Sequence, residues 1–355
     1  MKLPVAIAWL LAAAAGCGGT QAPASSVPVN SAAAPPLNPA VKIKIAGSGL
    51  VGEAAIFAAA DKGYFREEGL DVDLSSNTQS ADMIPQLIGG QLQLASNGVD
   101  AALFNAGARD IPIKVIGYNS VLAPTSTSAG FVVRKDLIDS GRYKEPKDFK
   151  GMSFAMNNAP GGQGDVYLEK LGAKGGWGLN DISQTVIPFP QMPVAFANKA
   201  VDAAYEVEPF VSVMETQGTA KNVVPVGQVY PGLPAQVFTI GPAFAKDQPE
   251  AARRAMVAYI RGQRDVWHAF VKKDVPPDDM FKVLMGHAPV KDPQLLTRMA
   301  TFSVDPNGDM DLKDLQFEAD SFLKWGTLKQ KVDVSQMIDA SYAKAAVERL
   351  GRIDI

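Results

Sequence analysis

The stretch Gly161-Gly162-Gln163-Gly164, set directly before the apolar-periodic segment Asp165–Leu171, has the plainest chemical use in this chain. Small residues there let backbone amides approach a ligand, and a helix N-terminus offers free N–H groups and the positive end of a dipole to an anion. Asp165 has an alternative use, capping that helix or its loop. Other polar residues fall where strands read as ending: Ser48 and Leu50 in Ser48-Gly49-Leu50-Val51, Asn97 in Ser96-Asn97-Gly98, Asn119 in Asn119-Ser120, Asn157 at the head of Asn157–Asp165, and Tyr205 beside Glu206. With Glu53, Gly161, Gly162 and Gln163 these form the candidate ligand-binding set. No arginine lies in any of these loops, so a sulfonate or carboxylate would be held by backbone amides and hydroxyls, without a bidentate guanidinium clamp. If Glu53 and Glu206 both face one cleft, they repel an anion and favour a cation, or a heterocycle carrying N–H or amino donors. Glu53 has a second reading, as an acidic residue in a first helical turn favoured by the macrodipole. Tyr205, Phe131 and Trp177 are candidates to stack on a ring, although aromatic residues at such positions more often fill the core.

Covalent and metal chemistry find little support. His268 and His287 are the only histidines, and both lie in the helical C-terminal half, so neither a zinc site nor a Ser-His-Asp triad is expected. Asp305-Pro306-Asn307-Gly308-Asp309-Met310-Asp311 resembles a calcium loop, but Met310 replaces the required glycine and Gln316 the bidentate glutamate. A turn leading into a capped helix is the better reading. The glycines at 161–164 lack the lysine of a phosphate-binding loop. No catalytic residue, metal or cofactor is assigned.

Cys17 is the only cysteine, and it follows Lys2, an apolar stretch from Leu3 to Ala15, and Ala14-Ala15-Gly16. This reads as a secretory signal over residues 1–16, too short to span a bilayer, with a lipobox expected to mark Cys17 for lipidation; the alternative is an ordinary cleaved signal with an incidental cysteine. Ala14 stands where leucine is usual. Residues 17–40 are rich in Gly, Ser, Ala and Pro and carry no charge, a flexible tether that would hold the protein to a membrane through its lipid anchor. Lys and Arg number 34 against 37 Asp and Glu, a net charge of −3, which becomes 33 against 37, or −4, once Lys2 is removed with the signal. With no block of like charge or basic stripe, nucleic acid is not an expected partner. No disulfide is possible in one chain, so the fold rests on its core.

The elements that must position the candidate residues alternate. Val41–Ile45 reads as a strand, Glu53–Lys62 as a helix stopped by Gly63, Asp71–Leu74 as a strand, Asp82–Ile88 as a helix, and Leu92–Ala95 and Ile113–Gly117 as strands. Such alternation argues for parallel βαβ units, with ligands at the carboxyl ends of the strands. Residues 89–97 and 198–206 repeat one pattern at an offset of 109: helix end, polar turn, short apolar strand, polar tip. If two lobes are built alike, Asn97 and Glu206 occupy corresponding tips facing one cleft. Ala251–Phe270 and Asp314–Leu323 have amphipathic helical spacing and are expected to pack on the first lobe.

Ala59-Ala60-Asp61-Lys62-Gly63-Tyr64-Phe65-Arg66-Glu67-Glu68-Gly69-Leu70-Asp71-Val72 resembles the signature of ABC-transporter solute-binding proteins for nitrate, sulfonate, taurine and thiamine precursors. The resemblance continues through Gly151–Ala155, Val201-Asp202-Ala203 with Glu208-Pro209, Asp305–Gly308 and Val332-Asp333, nearly the whole chain after the tether. Gln93 stands where the family usually has aspartate, a position that supports a turn. The signature itself reads as structural, a helix end with Gly63 left-handed and two rings packing the corner. The resemblance implies an α/β fold of the type II periplasmic-binding-protein kind, two lobes each with a mainly parallel sheet flanked by helices and a cleft between them. Residues 41–130 with 236–355 would form lobe 1, and 131–235 lobe 2. It implies a monomeric receptor, exported and lipid-anchored, that closes on a small-molecule solute and delivers it to an ABC permease. An enzyme on the same fold, like the pyrimidine synthases or chorismate dehydratases, is the alternative. The export signal and the lack of a Cys-rich motif and pocket histidine argue against it. A third possibility is a binding protein whose closed form addresses a sensor.

Overall fold

The computed structural model describes residues 35–76, 78–157, 161–288, 291–299 and 303–355. The expected signal segment 1–16, Cys17 and the expected tether up to residue 34 lie outside the described residues. Ten strands are described: β1 (Val41–Ala46), β2 (Leu70–Ser75), β3 (Leu94–Gly98), β4 (Lys114–Val121), β5 (Ala129–Arg134), β6 (Ser153–Met156), β7 (Ser183–Val186), β8 (Ala203–Val207), β9 (Ala220–Pro225) and β10 (Pro234–Ile240). They form two five-stranded sheets, ordered β2-β1-β3-β10-β4 and β7-β6-β8-β5-β9. In each sheet one strand runs against its neighbours: β10 pairs antiparallel with β3 and β4, and β5 with β8 and β9. The sheets are therefore mixed, with four parallel strands and one reversed strand that arrives from the other lobe.

This exchange explains the repeat. β3 and β8 hold equivalent places beside the reversed strand, and their ranges, 94–98 and 203–207, differ by the same 109 residues as the sequence pattern. The chain passes from β4 to β5 through residues 122–128 and back to β10 through the helix Val226–Val229 and residues 230–233. The two crossings bond to each other, Leu122 N–H to Leu233 O at 3.0 Å and Gly232 N–H to Leu122 O at 2.7 Å.

Local sequence accounts for the layers. In β1, Ile43 and Ile45 are buried while Lys42 and Lys44 are exposed, the period-2 signature of a half-buried strand. The helix Ala54–Asp61 buries Ala54 through Ala59, and its small side chains admit the helix Pro249–Val266 so closely that a Cβ at Gly262 would stand 2.0 Å from Ala55 O. Gly63 takes φ 78° and ends the first of these helices, as the signature requires, with Phe65 buried and Arg261 stacked 3.9 Å from the Tyr64 ring centroid. Gln93 braces its turn by accepting from Lys44 N–H at 2.8 Å and donating to Gly90 O at 3.0 Å. Asp311 caps the helix Leu312–Lys324 through Lys313 N–H. That helix differs from expectation: it packs on lobe 1 through Leu315, Ala319 and Phe322, yet the same cluster includes Val166 of the helix Gln163–Gly175 in lobe 2. The last residues of the stretch expected to be a tether are instead held to the body, where Pro35 O accepts from Arg254 at 2.7 Å and Leu37 N–H donates to Glu68 O at 3.4 Å.

Candidate functional site

A cavity of about 210 Å³ opens between the sheets, where the carboxyl ends of β1, β3, β4, β6 and β8 converge with the first residues of β5 and β10. That is where ligands bind in open α/β sheets, and the volume lies below the roughly 300–1,000 Å³ of drug-sized ligand sites. Of the candidate set, Ser48, Leu50, Asn157, Gly162, Gln163 and Tyr205 line it. Phe189 stands edge-on to Tyr205 with ring centroids 6.0 Å apart, and both face the cavity. Phe131 and Trp177 are buried in the lobe 2 core instead.

Five of the expected residues are set back from the wall: Glu53, Asn97, Asn119, Gly161 and Glu206 do not line the cavity. The Glu53 side chain turns onto its own loop, accepting from Ser48 N–H and Ser48 Oγ–H at 2.8 Å each, Gly49 N–H at 2.9 Å and Gln236 Nε2 at 3.3 Å. Burial raises its pKa above the ordinary value, and these donors oppose that shift without cancelling it. Asn97 and Asn119 lie one layer behind serines that do reach the cavity. Asn97 donates to Ser80 Oγ at 3.2 Å and accepts from Thr239, whereas Asn119 donates to Ser96 Oγ at 2.7 Å and accepts from Tyr259 OH at 2.8 Å. Gly161, at φ 95°, presents its N–H to Asp165 instead of to the cleft. Glu206 occupies the place on β8 that Asn97 holds on β3, as the repeat requires, but neither tip faces the cleft. Strand alternation sets it on the face of Ala204, in the apolar layer of Met192, Phe196 and Val211. It accepts from Val207 N–H at 2.9 Å, its Oε2 has no partner, and burial with the neighbouring Glu208 pushes its pKa well up.

Three carboxylates that the candidate set omits line the cavity: Asp100, Asp165 and Glu208. Each is braced by nearby backbone N–H groups. Asp100 caps the helix Ala101–Gly107 through Ala102 and Leu103 N–H, Asp165 accepts from Gly161 N–H and from Gln184 Nε2 at 2.7 Å, and Glu208 accepts from Ser212 N–H at 3.0 Å. Together with Glu53 they engage loop amides near the ends of β1, β3, β6 and β8, while the helix starts at Val51 and Gln163, which also line the cavity, carry no side-chain cap. Burial raises the pKa of Asp100 and Asp165. Asp100 carries a legible signal, an N-cap type before an apolar helix. Gln236, which bridges Ser48 and Glu53, carries none, because β10 reaches this sheet from the far crossing.

Gln163 ties the cavity to the C-terminal region. Its Nε2 donates to Pro234 O at 2.9 Å and to Glu318 Oε1 at 2.8 Å. Glu318 is fully buried with Oε2 unpartnered, and burial raises its pKa well above the usual carboxylate range. Among the described residues there is no cluster of metal-ligating side chains, and no helix is long and apolar enough to cross a membrane.

The profile of the NMT1/THI5 like family matches residues 52–268. The chain belongs to that family. A binding protein of Brucella abortus is 27% identical over 299 residues, covering 81% of this chain and 86% of that protein. The taurine-binding periplasmic protein of Escherichia coli is 24% identical over 262 residues, 73% of this chain and 72% of that one. Among solved structures, the alkanesulfonate-binding protein of Xanthomonas axonopodis pv. citri bound to MOPS superposes with a TM-score of 0.67 at 19% identity, covering 86% of this chain and 99% of that one. The desulfurization enzyme DszB superposes at 0.62 and 16% identity, covering 87% and 99%. The fold of this NMT1/THI5-like chain is thus that of periplasmic binding proteins, and it is also used by an enzyme.

Proposed function

We propose that this chain is an extracytoplasmic solute-binding lipoprotein that captures a small organic solute between its lobes and delivers it to an ABC importer. The solute is a nitrogen-bearing heterocycle in preference to a sulfonate. The observation that carries the reading is the small cavity at the converging strand ends of two sheets joined by paired crossings. Such an arrangement lets the lobes rotate about the crossings and close on a ligand. The Escherichia and Xanthomonas proteins, named for binding taurine and alkanesulfonate, support a binding role. Among the described residues no Lys, Arg or His lines the cavity, which sets this site against an anion held by charge. Nor does any cysteine, or any serine paired with a histidine or lysine base, line that wall, which favours a receptor over an enzyme. A thermal-shift screen of sulfonates, pyrimidines, amino-heterocycles and aromatic acids tests the reading. One class should raise the midpoint with a concentration dependence set by its dissociation constant. If no class moves the midpoint, the reading fails.

A further inference from the structure

Five polar side chains of the cavity wall have their protons already engaged. Ser48 donates to Glu53 Oε1 at 2.8 Å, the Ser96 hydroxyl bonds the same carboxylate, and the Ser80 hydroxyl bonds that of Asp100. A carboxylate only accepts, so the single proton of each hydroxyl is fixed. Each of these oxygens also receives one bond from behind, Ser48 from Gln236 Nε2 at 2.9 Å, Ser96 from Asn119 Nδ2 and Ser80 from Asn97 Nδ2. One lone pair is left on each. The amides follow the same rule: Gln236 divides its Nε2 protons between Ser48 and Glu53, and Gln163 divides its own between Pro234 and Glu318. Both keep only a carbonyl oxygen for anything else.

We propose that the cavity takes a small organic cation, a protonated amine or amidinium. Its N–H groups meet the remaining acceptors of Ser48, Ser80, Ser96, Gln163 and Gln236, and its charge is balanced by Asp100, Asp165 and Glu208. The proposal rests on the reading that this cavity is the solute site. The rings of Phe189 and Tyr205 add a face on which a cation is attracted to the π-system. A sulfonate of the same size would set its oxygens against lone pairs at these five side chains and its charge against three carboxylates; the side-chain donors that remain on that wall include Thr78, Gln79, Ser120 and Asn157. The uncapped helix starts at Val51 and Gln163 offer it backbone amides, but the carboxylates of Asp100, Asp165 and Glu208 share the same wall. Donor and acceptor polarity thus agree with charge.

The test is calorimetric titration of the full chain with benzamidinium and benzenesulfonate, two probes that share a ring and differ in charge and hydrogen-bond polarity. Each is titrated into the unaltered protein, Asp100→Asn and Gly98→Phe. Asparagine caps a helix as well as aspartate does. A Cβ at Gly98 meets nothing nearer than Asp100 Oδ2 at 3.9 Å, so phenylalanine fills the cavity without a backbone clash. Benzamidinium should bind at least about tenfold tighter than benzenesulfonate, a gap of ~1.4 kcal/mol. Asp100→Asn should weaken it several-fold, and Gly98→Phe should abolish it. Equal or tighter binding of benzenesulfonate, silence from both probes at ~10 mM, or an amidinium affinity unchanged by Asp100→Asn overturns the cation assignment. Binding that survives Gly98→Phe refutes instead the cavity as the solute site.

Discussion

Replacing Glu206 with glutamine should change the stability of the free protein in a way that depends on pH. The carboxyl is wholly buried, its Oε2 is unpartnered, and Glu208 adds a like charge nearby. Its folded pKa therefore lies well above the 4.5 it has when exposed. Between those two values the folded state holds a proton that the unfolded state has released. Stability from this group is then greatest at or below the ordinary carboxylate range and falls as pH rises, until the folded pKa is passed. The slope of one such group is at most about 1.4 kcal/mol per pH unit. The glutamine of Glu206→Gln would keep the bond from Val207 N–H and carry no titrating proton. For a body of this size ~1 kcal/mol moves the midpoint by about 2 °C. The variant should gain on the parent as pH rises above the ordinary carboxylate range, by up to ~3 °C per unit, in thermal melts without ligand. Glu318 is raised in the same direction and tilts both proteins alike, so the difference between them isolates Glu206. An offset that stays constant across the range, or a variant that loses ground as pH rises, would refute the burial argument.

Asn97→Ala should lower apo stability by about 1–3 kcal/mol, because Thr239 and Ser80 both lose a buried partner; urea melts at one pH measure it. Gly262→Ala drives a methyl into Ala55 O and should cost about 1–3 kcal/mol or more by separating the helices Ala54–Asp61 and Pro249–Val266, visible as a lower urea midpoint with an unchanged slope. Cys17→Ser should leave solute binding intact and move the protein from the membrane to the soluble fraction. A protein still in the membrane pellet would contradict the lipobox.

Much of the fold was legible because local pattern and layer agree. The alternation in Val41–Ile45, the Ala-rich helix closed by Gly63 and the 109-residue repeat each correspond to one element with one buried face. The strand-end loops were also legible, since Ser48, Leu50, Asn157, Gly162, Gln163 and Tyr205 reach the cavity. Direction at a strand tip was not. A polar residue ending an apolar strand reads as facing the cleft, but period-2 alternation carried Glu206 to the face of Ala204, and partners on β10 and the helix Pro249–Val266 drew Asn97 and Asn119 behind the wall. Those partners, Thr239 and Tyr259, lie 142 and 140 residues away in sequence, beyond any local signal. Asp100 has the type and place of a helix cap and is one, and Asp165 ties down its loop through Gly161 N–H. That they also line the cavity follows only from the way the two sheets face each other.

Small-angle scattering with and without the solute that gives the largest thermal shift tests the central claim most directly. The two crossings at 122–128 and 230–233 are the covalent links between the sheets, so a solute held by both walls should draw the lobes together and reduce the radius of gyration. Saturating solute that leaves the dimensions unchanged would contradict capture between the lobes.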